Sequence, residues 1–426
     1  MKTTRGNRTV TTLITATGSA SLLLAGVWLA PAHATTTTSL RDLAGEVGLA
    51  ETNETFSAAP YDEDGDGDQD VLISYHDQGG KLWRKDGHAF ARVASHAFPM
   101  ENADGYRVDR HDCAWADVNL DGLPDAFCSV GRTGFNNVKI GVHSDNELWL
   151  QRDDHSFIDV GTEWGVGDPY GRGRDALFID ANGDKWPDLY VGNEPPRDGD
   201  TDGATYGASK LFLNQHGTGF VDAPGYGLDH FSGGCAVKGD LDGDGYVDLI
   251  TCSKEGIRVY HNDADQGFSD VTGASGFQVF MKDGVQHTSY VTRAVLTDLD
   301  GDGKLDFVGV RSDRLVYRLN DGTGGFPAQK TIWRGADARD VAAGDADGDG
   351  DPDLFLVLTN AAGSTTNPDD LLFVNTDLAF TGNVAPPATG KGDGVVAFDY
   401  NGDGRDEFLV LNGADVPGPV QLLSLQ

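Results

Sequence analysis

Asp240-Leu-Asp242-Gly-Asp244-Gly245-Tyr-Val-Asp248 puts an acidic side chain on alternate residues, turns at Gly245 and adds a fourth carboxylate three residues later. Ala236-Val237-Lys238 precedes it and Leu249-Ile250-Thr251 follows, so the acidic loop joins two short β-type runs. Ile257-Arg-Val259-Tyr260 and, beyond a turn at 262–267, Phe268-Ser-Asp270-Val271 supply two more. The unit reads as four short antiparallel strands with an acidic turn between the first two.

The loop recurs seven times, starting at Asp62, Asp117, Asp180, Asp240, Asp298, Asp345 and Asp399. Repeats of this period indicate a solenoid, a propeller or an array. Seven units of four strands fit an all-β, seven-bladed β-propeller with four-stranded antiparallel blades. The chain ends favour a closed ring over an open solenoid. The last unit stops at a third strand, Val420-Gln-Leu422-Leu423, while Leu40-Arg-Asp42-Leu43 resembles the fourth strand Phe157-Ile-Asp159-Val160. An N-terminal strand is therefore expected to complete the last blade.

Alternating carboxylates closed by a glycine describe a loop wrapped around a hard cation, and six to eight oxygens at flexible geometry suit Ca²⁺ better than Mg²⁺. Up to seven Ca²⁺ are expected. Positions 1, 3, 5 and 9 are Asp62, Asp64, Asp66 and Asp70 in the first loop, and Asp117, Asn119, Asp121 and Asp125 in the second. The third and fourth loops offer Asp180, Asn182, Asp184 and Asp188, then Asp240, Asp242, Asp244 and Asp248. The fifth and sixth offer Asp298, Asp300, Asp302 and Asp306, then Asp345, Asp347, Asp349 and Asp353. The seventh has Asp399, Asn401, Asp403 and Glu407. An EF-hand needs a bidentate Glu at position 12; the residues there are Ile73, Cys128, Val191, Thr251, Gly309, Leu356 and Val410, none acidic. Lys185 replaces the turn glycine of the third loop, which is expected to bind most weakly.

Residues 1–34 read as a signal peptide: Lys2, Arg5 and Arg8, an apolar stretch around Leu22–Ala30, and Ala32-His33-Ala34 as cleavage site. Residues 35–426 would be one propeller, with no membrane span after signal removal, secreted, with association to the cell wall left open; a monomer is expected. Losing the three cations takes the formal net charge from −35 to −38. Such a surface argues against nucleic acid, whose phosphates need clustered Lys and Arg. Four cysteines in an exported chain suggest two disulfides. Cys113 and Cys128 flank the second loop, and Cys235 and Cys252 the fourth, at the same hairpin register. The expected pairs are Cys113–Cys128 and Cys235–Cys252.

The Asp-x-Asp-x-Asp-Gly-x-x-Asp loop between strands, at this spacing, resembles the FG-GAP or VCBS repeat family, which includes the propeller of integrin α chains and many bacterial secreted proteins. The resemblance spans nearly the whole chain from Leu40 and implies that each loop joins the first two strands of a blade and binds Ca²⁺. The literal Phe-Gly and Gly-Ala-Pro signatures are poorly kept. The resemblance is informative about fold and metal, and weak about activity.

If the acidic loops occupy one face of the disc, the second-to-third-strand loops and the blade-to-blade links gather on the other. Elaborated loops on a rigid scaffold tend to carry function. The ligand-binding candidates there are Tyr106, Arg107, Arg132, Trp164, Tyr170, Arg172, Arg174 and Tyr206. Aromatics beside hydrogen-bonding cations suit sugar rings or a protein partner, although any one of them can equally plug a gap between blades. No catalytic motif is found: no Gly-x-Ser-x-Gly, no His-Glu-x-x-His, no phosphate loop. The histidines are dispersed along the chain. The expectation is a non-catalytic binding or adhesion module for an extracellular carbohydrate or protein. Two alternatives stand beside it: a carbohydrate-active enzyme such as a polysaccharide lyase, since some relatives with this repeat are lyases, and a structural component of a cell-surface assembly.

Overall fold

The computed structural model describes residues 39–76, 78–93, 97–101, 108–131, 145–195, 207–230, 232–233, 235–253, 256–277, 280–282, 285–287, 290–360 and 367–426. The expected signal segment 1–34 lies outside them. So do Tyr106, Arg107, Arg132 and Tyr206.

Seven antiparallel sheets follow one another along the chain. Six are four-stranded, running from Thr55–Tyr61 to Ala89–Arg92, Asp109–Ala116 to Phe157–Asp159, Gly173–Ile179 to Phe220–Asp222, Cys235–Gly239 to Phe268–Asp270, Arg293–Thr297 to Gln329–Arg334, and Ala338–Gly344 to Thr381–Val384. The seventh takes Gly394–Phe398, Glu407–Leu411 and Gly418–Leu425 from the end of the chain and Leu40–Asp42 from its start. Leu40 pairs with Leu425 and Asp42 with Leu423, so the ring closes as the chain ends suggest. Thr52–Asn53 pairs with the other end of that final strand, at Gly418 and Pro419. A small hairpin, Phe280–Lys282 with Val285–His287, decorates the link between the fourth and fifth blades.

The second strand of each blade explains why the apolar runs are continuous rather than alternating. Asp353–Leu358 (DLFLVL) is buried at every residue, as are Asp70–Tyr75 and Asp188–Asn193. Each such strand is sandwiched between two neighbouring blades, so both of its faces need apolar side chains. Val118, Phe127, Leu148, Phe178, Leu189 and Phe212 form one such core between the second and third blades. The outer strands of the third and fourth blades bury only their leading phenylalanine: Phe220 and Phe268 are buried, while Val221, Asp222, Ser269 and Asp270 are exposed. First strands of adjacent blades pack side by side around a central channel of about 450 Å³, lined by Phe56, His111, Arg174, Arg293, Asp340 and Val395, among others.

Both expected disulfides are present, Cys113–Cys128 and Cys235–Cys252. Each ties directly opposed residues of the first two strands of its blade. Among the described residues no helix is long and apolar enough to cross a membrane.

Candidate functional site

Every acidic loop joins the first and second strands of its blade, and every one contains eight residues between those strands. The connections at the opposite ends of the strands, from second to third, range from two residues at 254–255 to sixteen at 194–209. One face of the disc is thus uniform and the other variable.

The uniform face is built by hydrogen bonds that start from position 1. Asp240 Oδ1 accepts from the Gly243 N–H at 2.7 Å, and its Oδ2 from Gly245 at 3.0 Å. Asp242 and Asp244 each accept the N–H two residues on, at 3.2 and 2.8 Å. This winding requires two left-handed residues, at positions 4 and 6. Gly243 and Gly245 have φ of 79° and 92°. Leu120 adopts φ 55° at position 4 of the second loop, and Lys185 φ 72° at position 6 of the third. The sequence reading identified position 6 alone.

The winding brings the carboxylates together. Asp62, Asp64 and Asp66 each offer an oxygen within 4.8 Å of the others, as do Asp240, Asp242 and Asp244, and Asp298, Asp300 and Asp302. An all-oxygen set on a flexible turn fits Ca²⁺. Position 9 lies beneath and is buried. Asp306 Oδ2 accepts from Leu299 N–H at 3.0 Å and Oδ1 from Asn320 N–H at 2.7 Å; Asp353 does the same with Ala346 and Asn375. Burial pushes the carboxyls of Asp70, Asp125, Asp188, Asp353 and Glu407 up to about 7, and that of Asp306 to about 6. Crowded carboxylates of this kind are stabilised in their charged form by a nearby cation. In the fourth loop His261 adds a nitrogen, with Nδ1 at 3.2 Å from Asp248 and 3.4 Å from Asp242. In the fifth, Lys304 Nζ donates to Asp302 at 2.6 Å.

A second regularity escaped the sequence reading. In four blades an amide side chain at or just beyond the end of the third strand reaches back to the preceding blade and donates to the position 2 carbonyl there. Asn214 reaches Val118, Asn320 reaches Leu241, and Asn375 reaches Leu299, at 2.8, 2.8 and 3.0 Å. Gln151 does likewise with Glu63 at 3.0 Å. The signal was visible as an amide residue placed just before the turn in these four blades, but an amide there reads equally as a turn former.

On the variable face, two of the eight ligand candidates, Arg172 and Arg174, come together, and Tyr170 precedes them in the chain. Tyr170 is 53% exposed. Arg172 and Arg174 both pair with Glu194, at 3.4 and 2.8 Å, and Arg172 also donates to the Pro195 carbonyl at 3.2 Å. Trp164 is half-buried and packs against the core between the second and third blades, its carbonyl accepting the Phe220 N–H at 2.7 Å. Arg110, in the first strand of the second blade, is wholly buried. Its guanidinium forks onto Glu147 at 2.5 and 2.7 Å.

Next to that patch the fold assembles residues far apart in sequence. His76 directly follows the second strand of the first blade, Asp70–Tyr75; Asp109 and His111 lie at the start of the first strand of the second. Asp109 Oδ1 lies 3.1 Å from His76 Nδ1, and Oδ2 lies 3.0 Å from His111 Nε2. Burial alone would raise the Asp109 carboxyl, but the two imidazoles hold it well below the usual carboxylate range. Burial, reinforced by Arg174, keeps His111 below the ordinary imidazole value.

No curated protein matches the chain. Among solved structures, an Agrocybe aegerita lectin described by its recognition of non-reducing terminal N-acetylglucosamine is 17% identical over 80% of this chain and 83% of its own, with a TM-score of 0.48. Two structures of BBS1N in complex with ARL6DN, one soaked with lead and one with mercury, are 12% and 13% identical. Each covers 88% of this chain and 93% of its own, with TM-scores of 0.51 and 0.53. At such identity these two similarities concern the fold alone. The FG-GAP-like repeat matches residues 62–128 and 298–356, which contain the first, second, fifth and sixth acidic loops. With seven four-stranded blades around one channel, the chain is a seven-bladed β-propeller that carries FG-GAP-like repeats.

Proposed function

We propose that this propeller is an exported, calcium-stabilised, non-catalytic binding module that takes an extracellular carbohydrate or protein on the face opposite the acidic loops. The observation that carries this reading is the contrast between the faces: eight residues in all seven acidic connections, against two to sixteen on the other side. A fixed length serves a fixed ligand such as Ca²⁺, whereas variable loops on a rigid scaffold serve recognition. Tyr170 supplies an exposed ring, and the Arg172–Arg174–Glu194 cluster that follows it in the chain supplies charged hydrogen-bonding groups. The two disulfides and the repeat family suggest an extracellular protein. In each loop the residues at positions 1, 3, 5 and 9 would hold the ion.

The test is incubation of the protein, in Ca²⁺, with a panel of extracellular polysaccharides and extracellular-matrix proteins, scoring both retention and product. Retention without product, weakened by Tyr170→Ala, is the expected result. Release of unsaturated or reducing ends would overturn the non-catalytic reading in favour of a lyase or hydrolase.

A further inference from the structure

We infer that His76, Asp109 and His111 form a binding site for a first-row divalent transition cation, Zn²⁺ foremost, separate from the seven oxygen-lined loops. Two imidazoles and one carboxylate are a borderline-soft donor set suited to Zn²⁺ and its neighbours rather than to Ca²⁺. The three donor atoms lie within 4.8 Å of one another. Both rings direct a nitrogen at the same carboxylate, at 3.1 and 3.0 Å. A cation entering between them displaces the proton that His76 Nδ1 shares with Asp109, and that proton leaves to solvent.

The surroundings hold the donors in place. The His111 ring lies flat where a side chain on residue 131 would stand, which Gly131 makes possible. Phe56 stacks on its face with ring centroids 4.2 Å apart and meets His76 edge-on at 4.9 Å. His111 Nδ1 lies 2.8 Å from the Gly173 carbonyl oxygen. Donating there leaves Nε2 bare toward Asp109, the backing that metal-bound histidines commonly have. Arg174 crowds the Nδ1 edge of the ring, but its charge is paired with Glu194 at 2.8 Å. Asp393 and Asp415 add negative potential around His76. The His76 side chain is 27% exposed, which provides an entry route. Three protein ligands leave at least one coordination position for water or a donor from solvent.

The experiment uses tag-free protein in excess Ca²⁺, so that the acidic loops are filled, and titrates it with Co²⁺ and then Zn²⁺. One Co²⁺ per chain with a visible d–d spectrum, displaced by Zn²⁺, is expected. Affinity should fall by about 100-fold or more in His76→Ala and stay unchanged in His261→Ala, which removes the imidazole beside Asp242 and Asp248 of the fourth loop. Binding lost in His261→Ala but kept in His76→Ala overturns the proposal, as does no stoichiometric Co²⁺ binding. Zn²⁺ K-edge absorption on the wild-type protein does not depend on any variant folding. Two imidazole ligands support the site, and an all-oxygen shell overturns it.

Discussion

Asn320 donates through Nδ2 to the carbonyl oxygen of Leu241, 2.8 Å away and one blade back, while its own N–H donates to Asp306 of the fifth acidic loop at 2.7 Å. One residue therefore joins two neighbouring loops. Asn320→Ala leaves the Asp306 contact and removes the interblade one together with the side chain's bonds to the Leu305 carbonyl and the Gly322 N–H. The expected loss is about 1–3 kcal/mol in urea unfolding. Calcium titration should show weakened coupling between loops; an unchanged midpoint would mean the bridge carries no stability.

Chelation should lower the melting temperature. A loop at a Ca²⁺ concentration 100 times its Kd contributes about 2.7 kcal/mol by mass action, so removing the ion from even a few loops is a large fraction of a domain's stability. Calorimetry with and without chelator measures this directly, and coincident melts would refute calcium stabilisation.

Lys185 holds a left-handed conformation, φ 72°, that a side chain disfavours by about 1–2 kcal/mol. Lys185→Gly relieves that strain but frees the unfolded chain. The net expectation is a gain of about 0.5–1 kcal/mol in chelator and tighter Ca²⁺ binding by the third loop. A loss of stability in denaturant titration would show that the lysine makes a compensating contact.

The Arg110–Glu147 fork is buried and closed by the Pro99 carbonyl at 2.8 Å from Arg110. Truncating one partner strands the other charge, so Glu147→Ala should cost about 3–5 kcal/mol. Replacing both with apolar residues should cost much less, and chemical denaturation of the two variants tests that ordering.

Asp370, before the third strand of the sixth blade, is pushed up to about 7 by burial, with Asp369 nearby. A carboxyl whose folded value exceeds its unfolded 3.8 binds more protons in the native state between those values. Its contribution is therefore fully present below about pH 4 and is lost as pH rises toward 7. Asp370→Asn keeps an acceptor for the Leu358 N–H and should flatten this part of the stability–pH curve at constant, saturating Ca²⁺. Identical curves for wild type and variant would exclude Asp370 as a contributor.

What the sequence revealed and what it hid divide along sequence distance. The seven loops, the disulfide register and the Leu40 strand are local patterns or repeats of one, so each copy reinforced the others. Position 4 of the loops was legible in principle, but six glycines there read as ordinary loop composition beside the aspartates. The cluster of His76, Asp109 and His111 has no local signature: 33 residues separate the first two, and only the packing of one blade on the next brings them together. Arg110 and Trp164 carry the residue types of a binding surface, yet one is neutralised by Glu147 and the other fills a seam between blades. Residue type alone does not tell which side of a blade a side chain will reach.

The seventh blade also sets the order of events as the chain matures. Leu422 N–H bonds Asp42 Oδ1 across a separation of 380 residues. Bringing such distant segments together carries a loop-closure cost of roughly 5 kcal/mol if nothing lies folded between them, and much less once six blades already hold the ends near each other. The seam is then the last part to form and, by the same logic, the first to part under heat or force. Until the final strand has emerged, Gly394–Phe398 and Glu407–Leu411 leave an edge bare, a template for a second chain. Early release or truncation within Gly418–Leu425 should therefore yield strand-exchanged aggregates rather than a smaller stable disc.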